Sequence, residues 1–199
     1  DELVRVGAIL AEARSSDDRT LHARASAILL LILTGCRVSE VLGLHWTDLK
    51  GKRLLLRDTK TGPRTVWLGD EAREILVSIP RAAKQPWIFW NWRYESPIKS
   101  VQDLWAQVRA QAKLRDVRLH DLRHTFASHA VMGKENLPMI GKLLGHARLQ
   151  STSRYAHLDD APLLDAAERI GNLIAEAMCN GYPLNGHTRC DSEGVIHVR

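Results

Sequence analysis

Apolar and charged positions alternate at helical spacing along residues 2–14 and predict an opening amphipathic helix. Ser15-Ser16-Asp17-Asp18 then supplies capping oxygens for a second helix of about four turns, Arg19 to Leu33. Gly35 ends that helix, and Val38 to Leu44 reads as a short third one. Arg53 to Arg57 and Arg64 to Leu68 are strand candidates around Asp-Thr-Lys-Thr-Gly-Pro, a hairpin signal. Asp70 to Ser78 returns to helix. Pro80 to Pro97 is a tryptophan-rich loop with a short strand candidate at Trp87 to Phe89, and Ile98 to Leu114 is amphipathic and helical.

From Leu119 the pattern is helical in three short pieces, broken at Gly133 and Gly145. Asn136 and Pro138 mark one start, and Ser151 or Thr152 caps the next. Pro162 to Met178 forms a last helix with Leu163, Leu164, Ala167, Ile170, Ile174 and Ala177 as its apolar positions. Beyond Asn180 no period survives. The expectation is one mainly helical domain, residues 1–179, with a small antiparallel sheet and a mobile tail at 180–199.

Composition changes this picture in three ways. A formal charge of +5 and a pI near 9.3 favour a polyanionic partner. Cys36, Cys179 and Cys190 are an odd, widely spaced set that suggests no disulfide framework, so a reducing cytosol is the expected compartment. The longest apolar run, Ala25 to Leu33, is too short to cross a bilayer, and no signal-peptide pattern opens the chain. The first residue is not methionine, and the chain reads as part of something longer.

The candidate chemistry lies in four short stretches and one lysine. Thr-Gly-Cys-Arg-Val-Ser-Glu (34–40) carries Arg37 at a helix start, where backbone N–H groups already favour an anion. The competing reading is a surface arginine paired with Glu40. His-Asp-Leu-Arg-His-Thr-Phe-Ala-Ser (120–128) places His120 and Arg123 three apart, on one side of a helix start, where Arg123 can offer a fork to phosphate. His124 and His129 read as structural. Leu-Gly-His (144–146) sets His146 just past a helix end, and Arg-Tyr-Ala-His (154–157) carries Tyr155. Lys60 sits at the hairpin tip, with Lys50 and Lys52 as rivals. Two arginines, two histidines, a lysine and a phenol suit attack on a phosphodiester without a metal. Trp87, Trp90 and Trp92 with Arg93 and Tyr94 read first as a core patch, and second as a surface for stacking bases. Cys179, His187, Cys190 and His197 have spacings too irregular for a zinc knuckle, and His120 and His124 lack the glutamate of a metalloprotease helix.

In content and order these stretches resemble the catalytic domain of the tyrosine recombinases, the phage-integrase family, from about Arg19 to Ala177. The resemblance implies a recombinase that cuts and rejoins DNA strands through a 3′-phosphotyrosine, with no metal, cofactor or ATP. By it, Tyr155 is the nucleophile, and Arg37, His120 and Arg123 hold the scissile phosphate, His120 also moving a proton. His146 hydrogen-bonds a phosphate oxygen and Lys60 protonates the leaving 5′ oxygen. It further implies duplex DNA as partner, a tetramer on recombining DNA, and a bacterial or phage-encoded protein at the nucleoid. The isolated domain is expected to be a monomer or weak oligomer. An N-terminal core-binding domain that clamps DNA is expected to be missing from this chain. The last helix would dock on a neighbouring subunit or else pack on its own domain. A non-catalytic helix-turn-helix module and a type IB topoisomerase-like activity are the alternatives.

Overall fold

The computed structural model describes residues 2–57, 62–133, 135–145 and 160–178. Its helices are α1 (Glu2–Ser15), α2 (Arg19–Thr34), α3 (Val38–Leu42), α4 (Asp70–Ser78), α5 (Gln102–Gln111), α6 (Asp121–Met132), α7 (Leu137–Leu144) and α8 (Asp160–Met178). The strands are β1 (Leu49–Lys50), β2 (Arg53–Leu56), β3 (Arg64–Trp67), β4 (Trp90–Asn91) and β5 (Ser96–Pro97). Among the described residues this is the mainly helical fold with small antiparallel sheets that the pattern implies.

α2 is the element around which the rest is built. Asp18 caps it by accepting from the Thr20 and Leu21 N–H groups at 2.8 and 3.1 Å. From Ala25 to Thr34 every residue is buried, so this part of the helix presents no solvent face. α1, α3, α4, α5, α6 and α8 all pack against it. Each fully buried Leu or Ile contributes about 1.5–3 kcal/mol, so this one helix anchors much of the core.

The three-stranded sheet runs β1-β2-β3, antiparallel throughout, with Leu54 opposite Val66 and Leu56 opposite Arg64. β1 is a strand that the apolar pattern does not reveal, because a pair of residues is too short to show alternation. β4 and β5 pair as a separate ribbon.

Four expectations shift. Trp87 to Phe89 is not a strand: Trp87 makes a single bridge to His45, and the paired strand begins at Trp90. The helix expected at Ile98 to Leu114 is shorter. Ile98 spends its N–H on Phe89 O at 2.9 Å, and Lys113 has a φ of 55° that no α-helix continues through. The third helix stops at Leu42, with Gly43 as its cap, rather than reaching Leu44. The last helix starts at Asp160, before Pro162, which suits a proline in the first turn.

The tryptophan patch divides as well. Trp90 is buried and Trp92 packs on the core, which supports the core reading, while Trp87 lies edge-on against the His45 ring. Tyr94 instead stands out into solvent beneath the Arg93 guanidinium. No helix among the described residues is long and apolar enough to cross a membrane. Residues 180–199, with Cys190, His187 and His197, lie outside the described residues, as does Cys179.

Candidate active site

The site begins where the central helix ends. Gly35 closes α2 with a φ of 62°, its N–H donating to Leu31 O at 3.1 Å. A Cβ there would stand 2.6 Å from Leu144 Cδ2 and 2.8 Å from Phe126 Cδ1, so the chain leaving α2 passes tightly between α6 and α7. Two residues later it delivers Arg37 as the N-cap of α3.

Arg37 is partnered, and by the residue named in the competing reading. Its backbone N–H donates to Glu40 Oε2 and its guanidinium to Glu40 Oε1, each at 2.8 Å. Glu40 is no surface residue, however, since its side chain is 3% exposed. The carboxylate, not a free N–H array, therefore occupies the start of α3. Arg37 remains one-quarter exposed, and among the described residues its guanidinium spends one of its five N–H donors, on Glu40.

Arg64, at the start of β3, meets the same carboxylate from the other side. Its Nη2 donates to Glu40 Oε2 at 2.8 Å and its Nε to Oε1 at 3.3 Å. Burial pushes the Glu40 carboxyl up, but the bonds from Arg64 and Arg37 outweigh it and hold the group below its ordinary value.

Arg123 lies on α6 and is almost fully buried. Its two Nη atoms donate to Gly35 O and Leu144 O, both at 2.6 Å. These carbonyls sit at the C-terminal ends of α2 and α7, where the helix dipoles favour a cation. Burial first, and then the charges of Arg37 and Arg64, lower the Arg123 guanidinium from its ordinary value. Three guanidiniums and one carboxylate leave a net charge of +2 (3 − 1). An anion arriving here would relieve that mutual repulsion. A phosphodiester fits, and its more highly charged transition state fits better.

His120 precedes α6 and accepts from the Arg123 N–H at 3.1 Å through its carbonyl. Its exposed ring meets the His124 ring edge-on, with centroids 5.4 Å apart. His124 is thus exposed beside His120 rather than a buried structural residue, whereas His129 is half-buried and lowered by that burial. The structure brings Arg37 and Arg123 into one electrostatic field and leaves the His120 ring exposed beside His124. Lys60, His146 and Tyr155 lie outside the described residues. Of the rivals to Lys60, Lys52 is engaged with Glu168 and with Asp70, the latter at 2.9 Å. A recess of about 300 Å³ lined by Ser39, His45, Asp48 and Arg57 shares only Glu40 with the arginine cluster.

The sequence reading misses Arg64 and undervalues Glu40. A signal for Arg64 existed. Strand alternation puts residues 64, 66 and 68 on one face, and Val66 and Leu68 are buried.

The phage integrase family model matches residues 5–161. The chain belongs to the phage integrase family. Tyrosine recombinase XerC of Thermodesulfovibrio yellowstonii is 32% identical over 184 residues, covering 84% of this chain and 60% of that protein. The chain thus spans about 60% of the length of that curated relative. Among solved structures, the catalytic domain of bacteriophage HP1 integrase matches with a TM-score of 0.54 at 29% identity, covering 84% of this chain and 90% of that one. XerH site-specific recombinase bound to its difH substrate matches with a TM-score of 0.60 at 24% identity, covering 83% and 52%, a likeness of fold. In this integrase-family chain the candidate residues that are described are Arg37, His120 and Arg123, and Arg37 is joined through Glu40 to Arg64.

Proposed function

We propose that this domain cleaves and rejoins DNA strands as a site-specific tyrosine recombinase. The observation that carries the reading is the convergence of Arg37 and Arg123, from distant parts of an integrase-family chain, into one partly desolvated cationic site. In the mechanism, Arg37 and Arg123 hold the non-bridging oxygens of the scissile phosphate. Tyr155 attacks phosphorus: the Tyr Oη–P bond forms, the P–O5′ bond breaks, and a 3′-phosphotyrosine results. The phenol gives up its proton to a neighbouring base, for which His120 is the available imidazole. Lys60 supplies a proton to the departing O5′, and His146 donates a hydrogen bond to a phosphate oxygen. Rejoining reverses these steps with a new 5′ hydroxyl, so the energy of the broken bond is kept and ATP is not needed. The arginines supply the charge neutralisation that a metal would otherwise give.

The partner in this reading is duplex DNA, with a tetramer forming on recombining duplexes in the cytoplasm at the nucleoid. Membership of the family supports strand transfer over a binding-only helix-turn-helix module or a topoisomerase. The relative that most directly supports it carries the name tyrosine recombinase. The test is covalent trapping on duplexes nicked beside randomised centres, where the short 5′-hydroxyl fragment diffuses away and resealing fails. A DNA-linked band from the wild type that vanishes in Tyr155→Phe is expected. An equal band from Tyr155→Phe would remove the nucleophile assignment.

A further inference from the structure

Arg64 makes more polar contacts than the mechanism requires of it. Its side chain is 10% exposed and its donors are spread over distinct elements. Besides the fork onto Glu40 in α3, Nη1 donates to Leu143 O in α7 at 3.0 Å, and Nη2 approaches Cys36 Sγ at 3.6 Å. The next turn is shaped around it. Gly145 has a φ of 68°, and a Cβ there would fall 2.5 Å from Arg64 Cδ. One strand side chain therefore lies against the residue before Arg37, the carboxylate that holds Arg37, and the end of α7. That same helix end supplies Leu144 O to Arg123.

We infer that Arg64 is a positioning residue, which sets Arg37 through Glu40 and sets the α7 end gripped by Arg123 through the Leu143 carbonyl. A lone Arg37–Glu40 pair could swing about the Arg37 side-chain torsions. With Arg64 clamping both oxygens of Glu40, the carboxylate has a single orientation, and the Arg37 guanidinium inherits it. Lysine cannot replace it. A single ammonium can reach Glu40 or Leu143 O, but it lacks the planar fork that spans both. Charge and approximate bulk survive that change while the geometry is lost.

The kinetic arm of the test rests on the strand-cleavage reading; a second arm does not. In the full chain, the ¹⁵N–¹H guanidinium signals of Arg37, assigned by their loss in Arg37→Lys, report how firmly that group is held. Separate Nη signals in the wild type should merge by free rotation in both Arg64→Met and Arg64→Lys. Single-turnover adduct formation on the nicked duplex should slow by about 100-fold in Arg64→Lys, as expected for misplaced reacting groups. The half-saturating DNA concentration should stay within about twofold, since the lost interaction acts on the transition state. Should Arg64→Met fail to fold, Arg64→Lys alone carries the test. Unchanged Arg37 signals, or an adduct rate equal to wild type, would overturn the inference. Merged Arg37 signals with no adduct even from the wild type would uphold the positioning role and defeat the recombinase reading instead.

Discussion

Arg37 shows how one residue can satisfy two readings. It is paired with Glu40, as the surface reading expects, yet that Glu40 is buried and shared with Arg64, as the proposed phosphate-holding role needs. The local motif reveals the pair; only burial reveals that the pair is a mount. Gly35 makes a sharper case, since two separate demands meet there. Its φ of 62° costs an L-residue about 1 kcal/mol, and a Cβ would also collide with Leu144 and Phe126. Gly51 has nearly the same φ, 61°, with nothing within 4 Å of a Cβ. Gly51→Ala should therefore cost about 1 kcal/mol. Gly35→Ala should cost roughly 2–4 kcal/mol once overpacking is added. Urea denaturation of the two variants checks the difference, and equal losses would mean that the tight passage at Gly35 relaxes freely.

At the scale of elements, helices with a cap and a clear period were legible, and short elements in loops were not. Asp18 and Asn136 cap the helices they were expected to cap, Asn136 by accepting from the Met139 N–H at 2.9 Å. The ends of α5 escaped because Ile98 and Val101 are apolar at helical spacing yet are used outside the helix, one of them in a backbone bond to the tryptophan loop. The joint between α1 and α2 carries a titration. His22 Nδ1 lies 2.7 Å from Arg14 O, so Nδ1 bears the hydrogen, and the buried Nε2 meets no hydrogen-bond partner among the described residues. Burial lowers His22 below its ordinary value, more strongly than the Arg14 carbonyl raises it, and the Arg14 charge lowers it further. The unfolded chain then takes up the proton first. This stability is full above about pH 6.5 and is lost as the pH falls below that value. His129 adds a change of the same sign. The melting temperature should drop between about pH 7.5 and 5.5, and His22→Asn, which keeps a donor without the titration, should flatten part of the drop. An unaltered slope in His22→Asn would show that the joint does not titrate.

Across the whole molecule, α8 is the element that closes the domain. Ile170 and Ile174 are fully buried, a Cβ on Gly7 of α1 would lie 2.8 Å from Met178 Cβ, and Arg169 donates to Glu135 at 2.6 and 2.9 Å. Of the placements open to the last helix, the structure shows packing on its own domain. The charge of +5 acts at this scale too. If DNA is the ligand, affinity should fall by about 10³-fold or more between 50 and 200 mM salt for roughly six neutralised phosphates. Fluorescence anisotropy with a labelled duplex measures that slope, and a flat dependence would argue against DNA. By itself the sequence determined the helix order, the central apolar helix, the β2–β3 hairpin, the family and the candidate residue list. Each of these is written in local periodicity, capping side chains or short motifs. Only the tertiary structure decided that Glu40 is buried and shared by Arg37 and Arg64, that Arg123 hangs from the ends of two helices, and that the His120 ring is exposed beside His124. Those facts depend on which distant backbone and side-chain groups share one desolvated volume, and no local pattern records that.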